Sequence, residues 1–149
     1  MDAELSKIKQ AALKRAQKPK QRSELAEGML LMRMLKESMP LAHDLIFHIP
    51  NGGWRTGIEA RNLVYSGVKS GVPDYLLPIA RAVQIGNLTV YRHGLFIELK
   101  KATNAQGKKG GRVSKQQMDW KDKLEKQGYA VVFSWGAEEA FQSIKDYLK

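Results

Sequence analysis

Gly71-Val72-Pro73-Asp74-Tyr75-Leu76-Leu77 and Gly94-Leu95-Phe96-Ile97-Glu98-Leu99-Lys100 are two short apolar runs, each carrying an acid where a buried strand disfavours one. Leu76, Leu77 and Ile79 follow Asp74, and Leu95, Phe96, Ile97 and Leu99 surround Glu98. An ionised carboxylate beside a hydrophobic core is costly unless a cation or hydrogen bonds compensate it. Side chains i and i+2 of a strand share a face, so Glu98 and Lys100 point the same way. Between the runs, Gly86-Asn87 separates Val83-Gln84-Ile85 from Leu88-Thr89-Val90-Tyr91. That is the pattern of a hairpin, expected to extend the acid-bearing strands and make them antiparallel neighbours. Paired this way, Asp74, Glu98 and Lys100 converge on one side of a sheet. A small set of hard oxygen ligands suits Mg²⁺ or Mn²⁺, which keep waters and take further ligands from phosphate. Such an ion acidifies water and neutralises charge developing on a phosphodiester, with Lys100 placed to orient the water or to stabilise the pentavalent phosphorus. The plainer reading of the same residues is a surface acid and a strand-edge ion pair.

The charge balance favours the first reading. In 149 residues, 25 Lys and Arg face 15 Asp and Glu, a net charge of +10. An excess of that size points to a polyanionic partner, nucleic acid before membrane, since no strongly apolar amphipathic face accompanies it. The charge is also clustered: seven Lys or Arg and no acid from Lys7 to Arg22, and six more with no acid from Lys100 to Lys115. There is no cysteine, which excludes a disulfide framework and a thiolate metal site, and His43, His48 and His93 are too dispersed for a zinc centre. No apolar run approaches bilayer length and the N-terminus lacks a secretory core, so a cytoplasmic, intracellular protein is expected.

Residues 1–21 are polar and lysine-rich and read as a basic arm, frayed helix or disordered, ahead of a folded domain over 22–149. Ser23 caps a helix through Leu35 in which Glu24, Gly28, Leu31 and Leu35 form one stripe. Glu24 at its mouth is either a partner for the helix dipole or a third metal-site carboxylate. Pro40 ends that region, and Leu45–Ile49 reads as a buried strand. Pro50-Asn51-Gly52-Gly53 is a turn whose backbone and amide groups, with Arg55, suit phosphate. Gly57–Tyr65 is a second helix. The loop Asn104–Arg112, rich in glycine and lysine and expected to be mobile, leads to Ser114, which caps a helix from Lys115 to Gln127. Gln117, Trp120 and Leu124 share its inner face, so Gln117 is placed to reach a phosphate, to hold Glu98, or simply to cap. A strand over 130–135 and a helix over 137–148 close the domain.

These motifs in this order resemble a VRR-NUC domain, a branch of the PD-(D/E)XK nucleases: Ser23-Glu24, Ile49-Pro50-Asn51-Gly52-Gly53, Gly71-Val72-Pro73-Asp74, His93-Gly94-Leu95-Phe96-Ile97-Glu98-Leu99-Lys100, Gly111-Arg112-Val113-Ser114 with Gln117 and Trp120, and Gly128-Tyr129. The small stand-alone form is similar to phage-type members, encoded in a bacterial host. The resemblance implies an α/β fold with an α-β-β-β-α-β core, a central mixed sheet flanked by helices, and phosphodiester hydrolysis with Mg²⁺ or Mn²⁺. The family's metal-binding residues fall on Asp74 and Glu98, its lysine on Lys100, its helix glutamine on Gln117 and its helix acid on Glu24. Stand-alone relatives often carry glutamine one turn after that acid. Gly28 departs from this, which leaves Glu27 as a substitute. The Leu99 carbonyl is a further ligand by analogy. DNA contacts are expected from Asn51, Gly52, Gly53, Arg55, Lys101, Lys108, Lys109, Arg112 and Lys115. The resemblance further implies a homodimer that cuts branched DNA, including four-way (Holliday) junctions. The competing readings are a non-catalytic module that binds branched DNA through a degenerate nuclease fold, and a nuclease acting on flaps or linear DNA.

Overall fold

The structure is a computed structural model that describes Lys7, residues 21–51 and residues 56–149. Most of the expected basic arm, together with Gly52, Gly53 and Arg55, lies outside the described residues.

Helix α1 (Glu24–Ser38) begins where Ser23, in extended conformation, accepts a hydrogen bond from the Ala26 N–H at 3.1 Å. Leu31 and Leu35 on its inner stripe are fully buried. Pro40 does not end the helical region as the sequence reading expected. It starts a second helix, α2 (Pro40–Leu45), because the first helical position needs no N–H and proline presets its φ. The buried strand expected over 45–49 therefore shrinks to β1 (Phe47–His48), an exposed edge strand, while Ile46 is buried as the C-cap of α2. Then follow α3 (Gly57–Tyr65), β2 (Tyr75–Leu77), β3 (Arg81–Ile85), β4 (Leu88–Arg92), β5 (Leu95–Lys100), α4 (Lys115–Lys126), β6 (Ala130–Trp135) and α5 (Ala137–Tyr147).

The central sheet is mixed, with order β1-β2-β5-β6: the first two pairings are antiparallel and the last is parallel. All six residues of β5 are buried, as a strand covered on both faces must be. Its Leu95, Ile97 and Leu99 join Leu31 and Leu35 of α1 and Ala137, Ala140 and Ile144 of α5 in the core. The hairpin expected around Gly86 forms, but β3 and β4 pair as a separate two-stranded sheet rather than lengthening β2 and β5. The loop after β5 is closed by a bridge between Lys101 and Gly110 and by Asn104, whose side-chain oxygen accepts from the Gln106 and Lys108 N–H groups. No described helix is long and apolar enough to cross a membrane.

Two features depart from an ordinary packed domain. Helix α3 carries a complete capping box from Thr56 and Glu59, yet none of its residues is buried, and Val64 and Tyr65 are 66% and 86% exposed. Glu27, by contrast, is a fully buried acid. One of its oxygens accepts from Arg22 Nε and the other from the Ala137 N–H at the start of α5, both at 2.9 Å. Arg22 also pairs with Glu138, so the first turns of α1 and α5 are bound together by one charge network. Truncating Glu27 to alanine removes a charged acceptor and leaves a void, and Glu27→Ala is expected to cost roughly 2–4 kcal/mol in a urea melt. Glu138→Ala, which is surface-exposed, should cost well under half of that.

Candidate active site

The register of β2 on β5 sets Tyr75 opposite Ile97, Leu76 opposite Phe96 and Leu77 opposite Leu95. Continued by one residue, it sets Asp74 opposite Glu98. The segment leading into Asp74 is held from two sides. Asn51 Nδ2 donates to the Val72 carbonyl at 2.7 Å, and the Ile49 N–H donates to the Asp74 carbonyl at 2.6 Å. On the other side, Trp120 Nε1 of α4 donates to the Ser70 carbonyl at 3.0 Å, and Gly71 (φ +83°) lies against Gln116, where a Cβ would come within 2.8 Å of the Gln116 Cβ. Only glycine meets both demands. The Asp74 carboxylate, so placed, accepts a hydrogen bond from the Leu99 N–H at 2.8 Å.

Glu98 and Lys100 share a face of β5, as their spacing requires, with Lys100 Nζ 2.9 Å from Glu98 Oε1. Both are nearly buried, 4% and 8% exposed. Gln117 completes the group. Its Nε2 donates to Glu98, and its Oε1 accepts from Lys100 Nζ at 3.1 Å and from the Ser114 N–H at 2.8 Å. The glutamine thus caps α4 and holds Glu98 at once, so two of the three roles open to it in the sequence coexist. Lys100 has three donors, and Glu98 and Gln117 use two of them. The Gly94 and Lys100 carbonyls bond toward β6 and its continuation. Carbonyls alternate along a strand, so the Leu99 carbonyl looks to the opposite edge, where its own N–H meets Asp74.

Glu24 and Glu27, three residues apart on α1, have different fates. Both Glu27 oxygens are engaged away from the sheet, which removes it as a substitute ligand. Glu24 is exposed and borders two clefts. One, of about 420 Å³, is lined by Lys101, Asn104, Lys108 and Lys109. The other, of about 720 Å³, also takes in Asp74, Tyr75 and His48. Gly28, the departure from the family pattern, leaves space that the Tyr75 hydroxyl enters. Of the basic residues expected on DNA, Lys109 also lies over the Trp135 ring at 3.6 Å, while Arg112 and Lys115 are exposed beyond the groove lining. Asn51, expected to meet phosphate, gives one amide N–H to the Val72 carbonyl. Sequence reading did not single out His48, Tyr75, Asn104 or Gln21 as site residues. They join the clefts through cross-strand register and loop closure, which leave no local motif. Among the described residues no three of His, Asp or Glu converge tightly enough to form a ready metal cage.

The VRR-NUC domain profile matches residues 7–137 of the chain. The chain belongs to the VRR-NUC family. A solved structure described as a VRR_NUC domain protein superposes with a TM-score of 0.68 at 27% sequence identity, covering 87% of this chain and 91% of that one. No curated protein matches. The α/β fold and mixed sheet expected from the motifs are those of this nuclease-fold family.

The electrostatics of this VRR-NUC site follow from burial. Desolvation pushes the Glu98 carboxyl up to about 7; the charges of Asp74 and Glu24 push the same way, and Lys100 offsets only part of the rise. Asp74 is raised as well, chiefly by desolvation, against the opposing Leu99 hydrogen bond and Lys100 charge. Glu98 ordinarily titrates near 4.5, so between that value and about 7 the metal-free folded state binds a proton that the unfolded chain has lost. Stability therefore falls as pH rises through that window. In chelator the urea midpoint is expected to drop from about pH 5 to about pH 8. Glu98→Gln, with no carboxylate to charge, should flatten that slope, and a slope unchanged by the substitution would contradict the assignment.

Proposed function

We propose that this VRR-NUC domain is a divalent-metal-dependent DNA endonuclease acting on branched DNA, with four-way junctions the leading substrate. The observation that carries this reading is that the Asp74 carboxylate accepts from the Leu99 N–H at 2.8 Å, next to Glu98 in β5, while Lys100 Nζ lies 2.9 Å from Glu98 on the same strand face. Two desolvated carboxylates side by side, both raised, form an all-oxygen donor set that a hard cation would stabilise. Asp74, Glu98 and the Leu99 carbonyl would hold Mg²⁺ or Mn²⁺, with Glu24 reaching it directly or through water. When bound, the ion would supply charge neutralisation at the phosphate and acidify a water.

The chain's own groups do the rest. Lys100 keeps its third N–H for the attacking water or a phosphate oxygen, since Glu98 and Gln117 occupy the other two. Gln117 fixes both Glu98 and Lys100 and thereby the direction of that free N–H. Lys101, Lys108 and Lys109, lining the cleft beside Glu24, offer sequence-independent contacts to the phosphates flanking the cut.

Symmetric cleavage of a junction calls for two active sites, hence a second copy of the chain. Helix α3 is the surface that suits it. Nine residues are too few for a stable isolated helix, and no described residue buries its Ile58, Val64 or Tyr65, which are 66%, 66% and 86% exposed.

The test is a panel of junction, flap and linear substrates with Mg²⁺ or Mn²⁺. Junctions should be cut in preference, and Asp74→Asn, Glu98→Gln and Lys100→Ala should each lose about 100-fold or more in rate while DNA affinity in Ca²⁺ is kept. Binding without cleavage by the unaltered chain in every metal would leave the non-catalytic module instead. In sedimentation equilibrium the chain should be a dimer and Val64→Glu a monomer; a wild-type monomer would remove the second copy from the proposal.

A further inference from the structure

The two clefts that meet at Glu24 differ in chemistry. The smaller one is basic, lined by Lys101, Lys108 and Lys109. Among the described residues the larger one has no lysine or arginine in its lining: beyond Glu24 and Asp74 it is bounded by Leu25, Met29, Phe47 and the His48–Tyr75 pair. Leu25, Met29 and Phe47 are 76%, 68% and 49% exposed, an apolar rim set beside two acids. His48 and Tyr75 face each other across β1 and β2 with ring centroids 5.1 Å apart. Exposed apolar surface of this kind marks a place that something covers in use.

Taking the ligand's identity from the nuclease reading, we infer that this cleft is a subsite for one unstacked nucleobase of the DNA strand whose phosphate lies at Asp74 and Glu98. The cleft reaches Asp74 and Glu24, two of the candidate acids, so the nucleoside next to a phosphate held there is the group that reaches it. Its lining repels phosphate and favours a flat, weakly polar ring, the reverse of the basic cleft. Its volume of about 720 Å³ admits a base with its sugar, in the ordinary range for ligand sites. The His48 ring offers a stacking surface, Phe47 edges the cleft from the neighbouring position of β1, and Met29 and Met32 adjust to purine or pyrimidine without reading either. A protein partner seated in the same place would cover Asp74 and close the approach of the scissile strand. Unstacking is cheapest at a branch point or mismatch, where a base has already lost a neighbour, so the subsite would select DNA by structure rather than by sequence.

The experiment uses the full chain in Ca²⁺ with four-way junctions that carry a single 2-aminopurine at each of the positions flanking the branch point in turn. Fluorescence and anisotropy are read on the same samples. Binding should brighten the probe several-fold at one position. Phe47→Ala and Met29→Ala should weaken junction affinity between about 5- and 100-fold and abolish the brightening, with the urea midpoint of each variant confirming its fold. A probe that stays quenched at every position while anisotropy reports binding overturns the inference, and this reading depends on neither variant folding. Variants that dissociate a dimer in sedimentation yet leave the probe signal intact overturn it too, assigning the cleft to a second copy. Cleavage in Mg²⁺ without unstacking defeats this subsite alone, whereas unstacking without cleavage defeats the nuclease activity alone.

Discussion

Glu98 keeps a carboxylate inside a strand whose six residues are all buried, and the arrangement of the neighbouring groups follows from making that tolerable. Lys100 supplies the nearby positive charge and Gln117 the neutral donor, and together they hold the acid without discharging it. Compensation is incomplete, since burial and the facing Asp74 still leave the carboxyl raised. A carboxyl held in this state takes up a proton more readily than a free one, and when it ionises the fold carries a nearly buried charge beside the groups that aim it.

Helix α4 serves both acids. Gln117 at its N-terminus reaches Glu98, while Trp120 one turn on holds the Ser70 carbonyl and Gln116 packs against Gly71 on the approach to Asp74. The two carboxylates belong to different strands, but one rigid element sets their supports. Helix α1 divides its labour in another way. Glu27 locks its first turn to α5 and is lost to solvent, which leaves Glu24, on the same turn, free to stand between the basic and the apolar cleft. The ion pair between the buried Glu27 and the half-exposed Arg22 thus sits on the same turn as an acid that stays exposed.

Much of this was legible in the chain. Period-two spacing put Glu98 and Lys100 on one face, the Gly86-Asn87 turn implied antiparallel neighbours for the flanking runs, and Ser23 and Ser114 marked their helix starts. Where the reading failed, a local signal had two meanings. Pro40 stops one helix and opens the next, because proline is unfavourable inside a helix and favourable at its first position. The apolar run at 45–49 matched a buried strand in composition, yet only two of its residues pair, at the sheet edge. Asn51 has the chemistry of a phosphate contact and also a structural use, one N–H holding the Val72 carbonyl.

Short-range chemistry, then, was enough by itself for the candidate site: two acids and an amine, Glu98 and Lys100 on one strand face, the basic block that follows β5, and the nuclease-fold family these motifs belong to. Three-dimensional packing alone settled which of Glu24 and Glu27 faces the cleft, that Gln117 bridges Glu98 and Lys100, and that His48 and Tyr75 wall the space beside Asp74. The physical reason is range. Strand alternation and helix caps act over a few residues and are written locally, whereas the Glu27 bond to the Ala137 N–H joins groups 110 residues apart and exists only once α1 and α5 have docked.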